Sequence, residues 1–337
     1  MIKKTLLAAS VVCAASNFAF AETLVIGVPM PSFADKWMSY LFEGVNDFND
    51  QHSDVEIKMT DANEDPSKML NDVDNFIDAG VNALLVVPTD IAIVKPIAKK
   101  ANRASIPLVI VNRLPDESAM KDVDAYVGSE SIQAGIIQAE SVVGMLDGKQ
   151  GNVAILMGVL GHEAQIKRTE GNKQVFSQHS NIKIVAEQEG RWDRAKALQI
   201  VEDLLQAHPE INVIVANNDE MAIGALLAAR KAGLTDADLI ITGVDATPDA
   251  LEYLGSGLDS TVFQSAKGQG YGGAEIAYKL AKGEKVQKMN WINFETRFRR
   301  AKNRILIQIP ISNPVFRFLS GTKKVVEFVG FYPLSKR

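Results

Sequence analysis

Nine residues in this 337-residue chain combine side chains suited to gripping a small polar molecule: Asp35, Trp37, Asn112, Arg113, Arg168, Trp192, Asn218, Asp245 and Gln264. Carboxylates and amides exchange hydrogen bonds with hydroxyls, and Arg presents a rigid fork of donors. The two tryptophans add flat apolar faces. A polyhydroxylated ring has an edge of hydroxyls and apolar C–H faces, so this mixture suits it. A phosphate site would instead need a glycine-rich turn at a helix N-terminus with little acid nearby. For any single Asn or Asp the alternative is a helix cap, so the case rests on recurrence along the chain.

The elements that would position these residues repeat one pattern. Within Ile211–Asp249 an apolar run, Val213–Ala216, stops at Asn217-Asn218-Asp219, a helical stretch runs from Glu220 to Lys231 with Gly233 beyond, and a second run, Leu239–Thr242, halts at Asp245. Acids in the first helical turn and bases in the last agree with the helix dipole. In open parallel α/β sheets ligands bind outside the carboxyl ends of strands, where Asn218 and Asp245 would sit. Earlier strands are expected at Leu24–Val28, Val55–Met59, Asn82–Val87 and Ile106–Val111, the last ending at Asn112-Arg113. Gly151–Met157 and Ile182–Ala186 then lead to Arg168 and to Arg191-Trp192-Asp193. Continuous apolar strands separated by helices argue for parallel sheets covered on both faces. The second half repeats the first, so two similar lobes are expected.

The division reads as a first lobe of residues 22–128 plus 265–290 and a second of 129–264 plus 291–296, with Val127-Gly128-Ser129 as a crossover. Ser260–Gln264 reads as a strand returning toward the first lobe, followed by a helix Tyr271–Ala281 and a strand Trp291–Thr296. Residues 297–337 depart from the rest, with ten Lys and Arg against one acid, Glu327, and no periodicity apart from Ile305–Ile309. This basic tail is given no functional role.

Hydrophobic content of 47% and a net charge of −5 describe an ordinary globular protein and do not favour a nucleic-acid partner. Lys3-Lys4, an apolar segment from Leu6 to about Ala15, and Ala19-Phe20-Ala21 read as a cleaved secretory leader over residues 1–21. The apolar segment is shorter than the roughly 20 residues that span a bilayer. The only cysteine, Cys13, falls inside that leader, so the mature chain would hold no disulfide, thiolate metal site or cysteine nucleophile.

The run Asn217-Asn218-Asp219-Glu220-Met221-Ala222-Ile223-Gly224-Ala225, followed by Gly243-Val244-Asp245-Ala246-Thr247-Pro248-Asp249, resembles the ribose-type periplasmic sugar-binding proteins of ABC importers, over about residues 24–296. The resemblance implies two Rossmann-like α/β lobes joined by three crossover strands, the type I periplasmic binding protein fold, with a sugar or cyclitol clamped by hinge closure. It implies a monomeric periplasmic receptor without catalytic residues, cofactor or metal, which serves an inner-membrane permease and is compatible with a chemoreceptor or sensor kinase as partner. Asp35 and Trp37 match the family's first-loop contacts, Arg168 its second Arg, and Asn218, Asp245 and Gln264 agree directly. Asn112-Arg113 stands where ribose binders have Asp-Arg, Trp192 where they have a stacking Phe, and Met38 where they have a second Phe. With Val111-Asn112-Arg113-Leu114-Pro115, these departures are similar to the inositol- and rhizopine-binding branch. They make myo-inositol or a close cyclitol the lead ligand, ahead of ribose.

Competing signals are weaker. Gly268-Gln269-Gly270-Tyr271-Gly272-Gly273 matches a dinucleotide-binding turn but comes late in the chain, after a strand whose end, Gln264, belongs to the polar set. Asp61, Asn63 and Asp65 begin like a calcium loop, yet Pro66 stands where Gly is required, which favours a turn and a cap. The four histidines show no metal spacing; His162, near Arg168, could touch a ligand, with a loop surface the preferred reading. Asp35 with Asp245 as a hydrolytic pair is disfavoured because the neighbouring arginines should keep both ionised. A transcriptional regulator sharing this core would need a helix-turn-helix where the leader stands.

Overall fold

The computed structural model describes residues 23–293, 295–301 and 304–308. The expected leader, with Cys13, and most of the basic tail lie outside the described residues. The first half builds β1 (Leu24–Met30), α1 (Lys36–Gln51), β2 (Val55–Asp61), α2 (Pro66–Asp78), β3 (Ala83–Val86), α3 (Val94–Ala104), β4 (Leu108–Val111), α4 (Glu117–Met120) and β5 (Ala125–Gly128). The second builds α5 (Ser131–Leu146), β6 (Gly151–Met157), α6 (Glu163–Phe176), β7 (Ile182–Glu189), α7 (Arg194–Ala207), β8 (Val213–Ala216), α8 (Asp219–Lys231), β9 (Ile240–Asp245), α9 (Pro248–Tyr253) and β10 (Ser260–Phe263). The chain then adds α10 (Ala266–Ala281), β11 (Met289–Trp291), β12 (Glu295–Ala301) and β13 (Arg304–Gln308).

These strands form two sheets, ordered β11-β5-β4-β3-β1-β2 and β13-β12-β10-β9-β8-β6-β7. The runs 5-4-3-1-2 and 10-9-8-6-7 are the same topology, five strands later. β3, β4 and β8 are buried along their whole length, as strands covered on both faces must be, while the edge strands β2 and β7 expose part of theirs. Each sheet has its order switch beside its first strand, between β1 and β3 and between β6 and β8. Loops diverge there and leave a crevice at the strands' carboxyl ends.

The chain passes between lobes after β5, after β10 and between β11 and β12. β10 does not return to the first lobe as expected from sequence. It pairs in parallel with β9, and the return is made by α10, which packs on α1 and on β3, β4 and β5. The strand expected over Trp291–Thr296 is two strands: Trp291 pairs with Gly128 in the first sheet, and β12 lies antiparallel to β10 in the second. The stretch from Arg297, expected to be largely irregular, continues β12 and adds β13, antiparallel to it. Residue alternation alone could not reveal these strands, because each is defined by its partner.

The glycine-rich motif at 268–273 lies inside α10 and forms no phosphate-binding turn. Its glycines serve packing: a Cβ on Gly270 would meet Leu41 O at 2.0 Å. The Asp61–Asp65 stretch is a turn, with Asn63 and Glu64 left-handed at φ 52° and 56° and Asp65 capping α2 ahead of Pro66. No described helix is long and apolar enough to cross a membrane.

Candidate functional site

All nine residues singled out by type lie on one cleft between the lobes, together with Met38, His162, Glu163 and Ala164. About 520 Å³ of empty space, part of it open solvent, lies between these residues.

In the first lobe's wall the two charged residues, Asp35 and Arg113, are held by backbone. Asp35 is the N-cap of α1 and accepts from Met38 N at 2.8 Å, which places Trp37 in the first helical turn over the cleft. Arg113 follows β4, is buried, and donates through Nη1 to the carbonyls of Pro88 at 2.9 Å and Thr89 at 2.6 Å. Its ion pair with Glu64, 3.4 Å from Nη2, lies toward solvent, since that glutamate is half exposed. Asn112 is left-handed at φ 67°; its carbonyl accepts from Tyr126 Oη at 2.8 Å and its Nδ2 donates to Gln269 Oε1 at 3.1 Å. Gln269 is fully buried and donates in turn to Ser129 Oγ. The polar residue of the glycine-rich motif therefore anchors a cleft residue.

The second lobe's wall is a network of side chains. Arg168 on α6 donates to Asn217 O at 2.6 Å and Gln264 Oε1 at 2.5 Å, and its Nη1 lies 3.6 Å from Asp245 Oδ1. Both charged groups are about nineteen-twentieths buried, with side-chain exposures of 6% and 5%. Burial pushes Asp245 well above the usual carboxylate range; Arg168 opposes this, and Asp219 adds repulsion. The expectation that nearby arginines would hold Asp245 in its ordinary ionised range is corrected here, because desolvation outweighs the arginine's field. Asn218 plays two parts: its Oδ1 caps α8 by accepting from Met221 N at 3.0 Å, and the residue lines the cleft. Asp245 caps nothing, since Thr247 is the N-cap of α9.

Trp192 is left-handed at φ 64° and lies flat over Gly158, where a Cβ would stand 1.9 Å from its ring. The Arg168 guanidinium carbon sits 5.8 Å from the indole ring centre. Trp192 Nε1 donates to His162 Nδ1 at 3.2 Å, which requires that nitrogen to be unprotonated. Burial, with help from Arg113, lowers the His162 pKa to about 4. His162 is thus a cleft residue and a neutral one, in line with the ligand-contact alternative rather than the preferred loop surface. Sequence reasoning also missed Glu163, which accepts from Ser131 Oγ at 2.8 Å and whose pKa burial raises. Both stand at the start of α6, and that helix boundary was the available signal.

Groups of three or more His, Cys, Asp or Glu arranged to hold a metal are absent among the described residues. What the walls offer is hydrogen-bond donors and acceptors, two arginines and two indole faces, arranged to hold a neutral hydroxylated ring.

Comparison with known proteins agrees with this geometry. The periplasmic binding protein domain matches residues 26–285. A putative rhizopine-binding protein of Rhizobium meliloti is 38% identical over 298 residues, covering 87% of this chain and 96% of that protein. The ribose import binding protein of Salmonella typhimurium is 36% identical over 228 residues, 67% of this chain and 75% of that protein. Among solved structures, an ABC transporter solute binding protein from Bacillus halodurans with bound myo-inositol is 40% identical with a TM-score of 0.79, covering 83% of this chain and 96% of that one. One from Actinobacillus succinogenes with bound D-allose is 29% identical with a TM-score of 0.76, covering 81% and 96%. The chain belongs to the periplasmic binding protein family, a family of solute receptors rather than enzymes.

Proposed function

We propose that this member of the periplasmic binding protein family captures a cyclitol, with myo-inositol as lead ligand, by closing its two lobes, and delivers it to an ABC permease in the inner membrane. Residues 1–21 are the export leader in this reading, the receptor works as a monomer, and a chemoreceptor is a further possible partner. The lobes divide near the three chain passages, at about residues 128, 264 and 291. The cleft supports the reading: hydrogen-bonding side chains from both lobes, with Trp37 and Trp192, line one space. Trp37 Nε1 and Arg168 Nε, one from each lobe, are buried and without a protein acceptor, so ligand hydroxyls would satisfy them. A ligand touching both walls favours the closed form, the state a permease would read.

The identity of the relatives favours the cyclitol, since the 40% identical structure holds myo-inositol. Ribose is the second reading, favoured by Asn218, Asp245 and Gln264 and by the ribose import relative. Thermal shift of residues 22–337 with inositols, ribose, D-allose and NAD, followed by calorimetry on the strongest hit, tests both. A ligand at a hundred times its dissociation constant adds about 2.7 kcal/mol. A selective shift with myo-inositol is expected. A shift with ribose alone would overturn the cyclitol and keep the receptor, and a shift with NAD alone would overturn both.

A further inference from the structure

Next to Asp245 lies a buried polar cluster whose residues are not among those lining the cleft. Asp219, the first residue of α8, has no exposure to solvent. Its Oδ2 accepts from Thr247 N at 2.8 Å and Thr247 Oγ1 at 3.3 Å, and its Oδ1 accepts from Thr261 Oγ1 at 2.6 Å. Thr261, also fully buried, accepts in turn from Ala246 N at 3.1 Å. Between them these two side chains hold the backbone of both residues that follow Asp245.

That segment needs holding. Asp245 has φ 119° and Ala246 has φ 50°, both in the left-handed region that side chains with a Cβ avoid. Such strain persists only where surrounding contacts over-determine it, and it is often found at ligand sites. A relaxed turn would swing the Asp245 carboxylate away from Arg168, whose Nη1 it faces at 3.6 Å. The sequence leaves room for the device: a Cβ on Gly243 would stand 2.3 Å from Asp219 Oδ1. Leaving a carboxylate in so dry a place is expensive, and burial raises the Asp219 pKa to about 7.

We infer that Asp219 and Thr261 form a clamp that sets ligand affinity from outside the cleft, by holding the strained Asp245-Ala246 turn so that the Asp245 carboxylate meets a ligand hydroxyl. Both are positioning residues. The inference rests on the proposed cyclitol reading for its probe, myo-inositol.

The experiment compares Thr261→Val, Thr261→Ser and wild type by calorimetry with myo-inositol, each variant first matched to wild type in circular dichroism. Val keeps the shape and removes the hydroxyl, whereas Ser keeps the hydroxyl and removes a methyl. The clamp requires a loss of affinity of about tenfold in Thr261→Val and near wild-type affinity in Thr261→Ser. A second comparison uses Asp245→Asn, in which the clamp has little left to position: adding Thr261→Val there should change affinity by less than about threefold. Equal losses for Val and Ser, or a full tenfold loss in the Asp245→Asn background, would overturn the clamp, because ordinary core damage gives those results. Should Thr261→Val prevent folding, Asp219→Asn takes its place in the same cycle. A wild type that binds no myo-inositol overturns the ligand and this inference with it, while variants that bind as well as a binding wild type overturn this inference alone.

Discussion

The two walls of the cleft are built by different means. In the first lobe the charged residue, Arg113, is tied to main-chain carbonyls of the loop after β3, and its carboxylate partner Glu64 is half exposed. In the second lobe Arg168 is tied to the Gln264 side chain and to Asn217 O, faces a buried Asp245, and lies over Trp192. A group held by backbone can be lost while its neighbours stay in place. A group in a mutually dependent network takes its neighbours with it. The first wall should therefore respond to mutation residue by residue, and the second as a unit.

The strongest way to break this contrast is Arg168→Ala. It removes the cation from a buried carboxylate, a change that costs about 3 to 5 kcal/mol when the carboxylate must stay charged. Asp245 escapes part of that cost by taking up a proton, toward which burial already pushes it. Urea unfolding should thus show a large loss of stability at pH 8 and a smaller one at pH 5, with myo-inositol binding abolished at both. Arg113→Ala should weaken binding by about 1 to 3 kcal/mol, or roughly five- to 150-fold, at a much smaller cost in stability. If the two substitutions destabilise alike, the contrast between the walls is wrong. A smaller effect is expected from Gly158→Ala. Its Cβ would stand 1.9 Å from the Trp192 ring, so the indole must tilt and strain the second wall at a cost of about 1 to 3 kcal/mol. Calorimetry should show weaker myo-inositol binding with the first wall untouched.

The same contrast explains what could be read from the chain before its structure. The parallel lobes were legible because short, fully apolar, β-branched runs such as Leu108–Val111 and Val213–Ala216, bounded by polar residues and alternating with helices, fit a strand covered on both faces. The nine polar residues were legible because each ends or follows a strand or lies on the helix after it, and the cleft gathers all of them. His162 and Glu163 were not, because their burial depends on Trp192 and Ser131, which lie 30 and 32 residues away. Asp219 read as part of the polar tip that ends the run Val213–Ala216. Its burial arises from β9 and β10, and no local pattern announces that. β12 and β13 were hidden for a similar reason, since they are completed by pairing with β10 and with each other.

The last expected effect concerns how the second wall carries its protons, and two buried groups push in opposite directions. His162 is held near pKa 4 against about 6.5 in an unfolded chain, so between those values the unfolded state binds more protons. Its contribution to stability is present above pH 6.5 and is lost as pH falls toward 4. Asp219 is raised to about 7 from 3.8, so in that interval the folded state binds more protons, and stability is lost as pH rises toward 7. The two slopes oppose each other between about pH 4 and 6.5, and part of any acid sensitivity of the ligand-free protein is masked. Separating them sharpens the picture of a second wall working as a unit. Relative to wild type at each pH, His162→Gln should gain stability as the solution is acidified from pH 7 to 4.5, and Asp219→Asn should lose it. Urea midpoints at pH 4.5, 5.5 and 7.5 measure both slopes. Variants that track wild type in parallel across that range would show that neither group is held as far from its ordinary titration as the geometry requires.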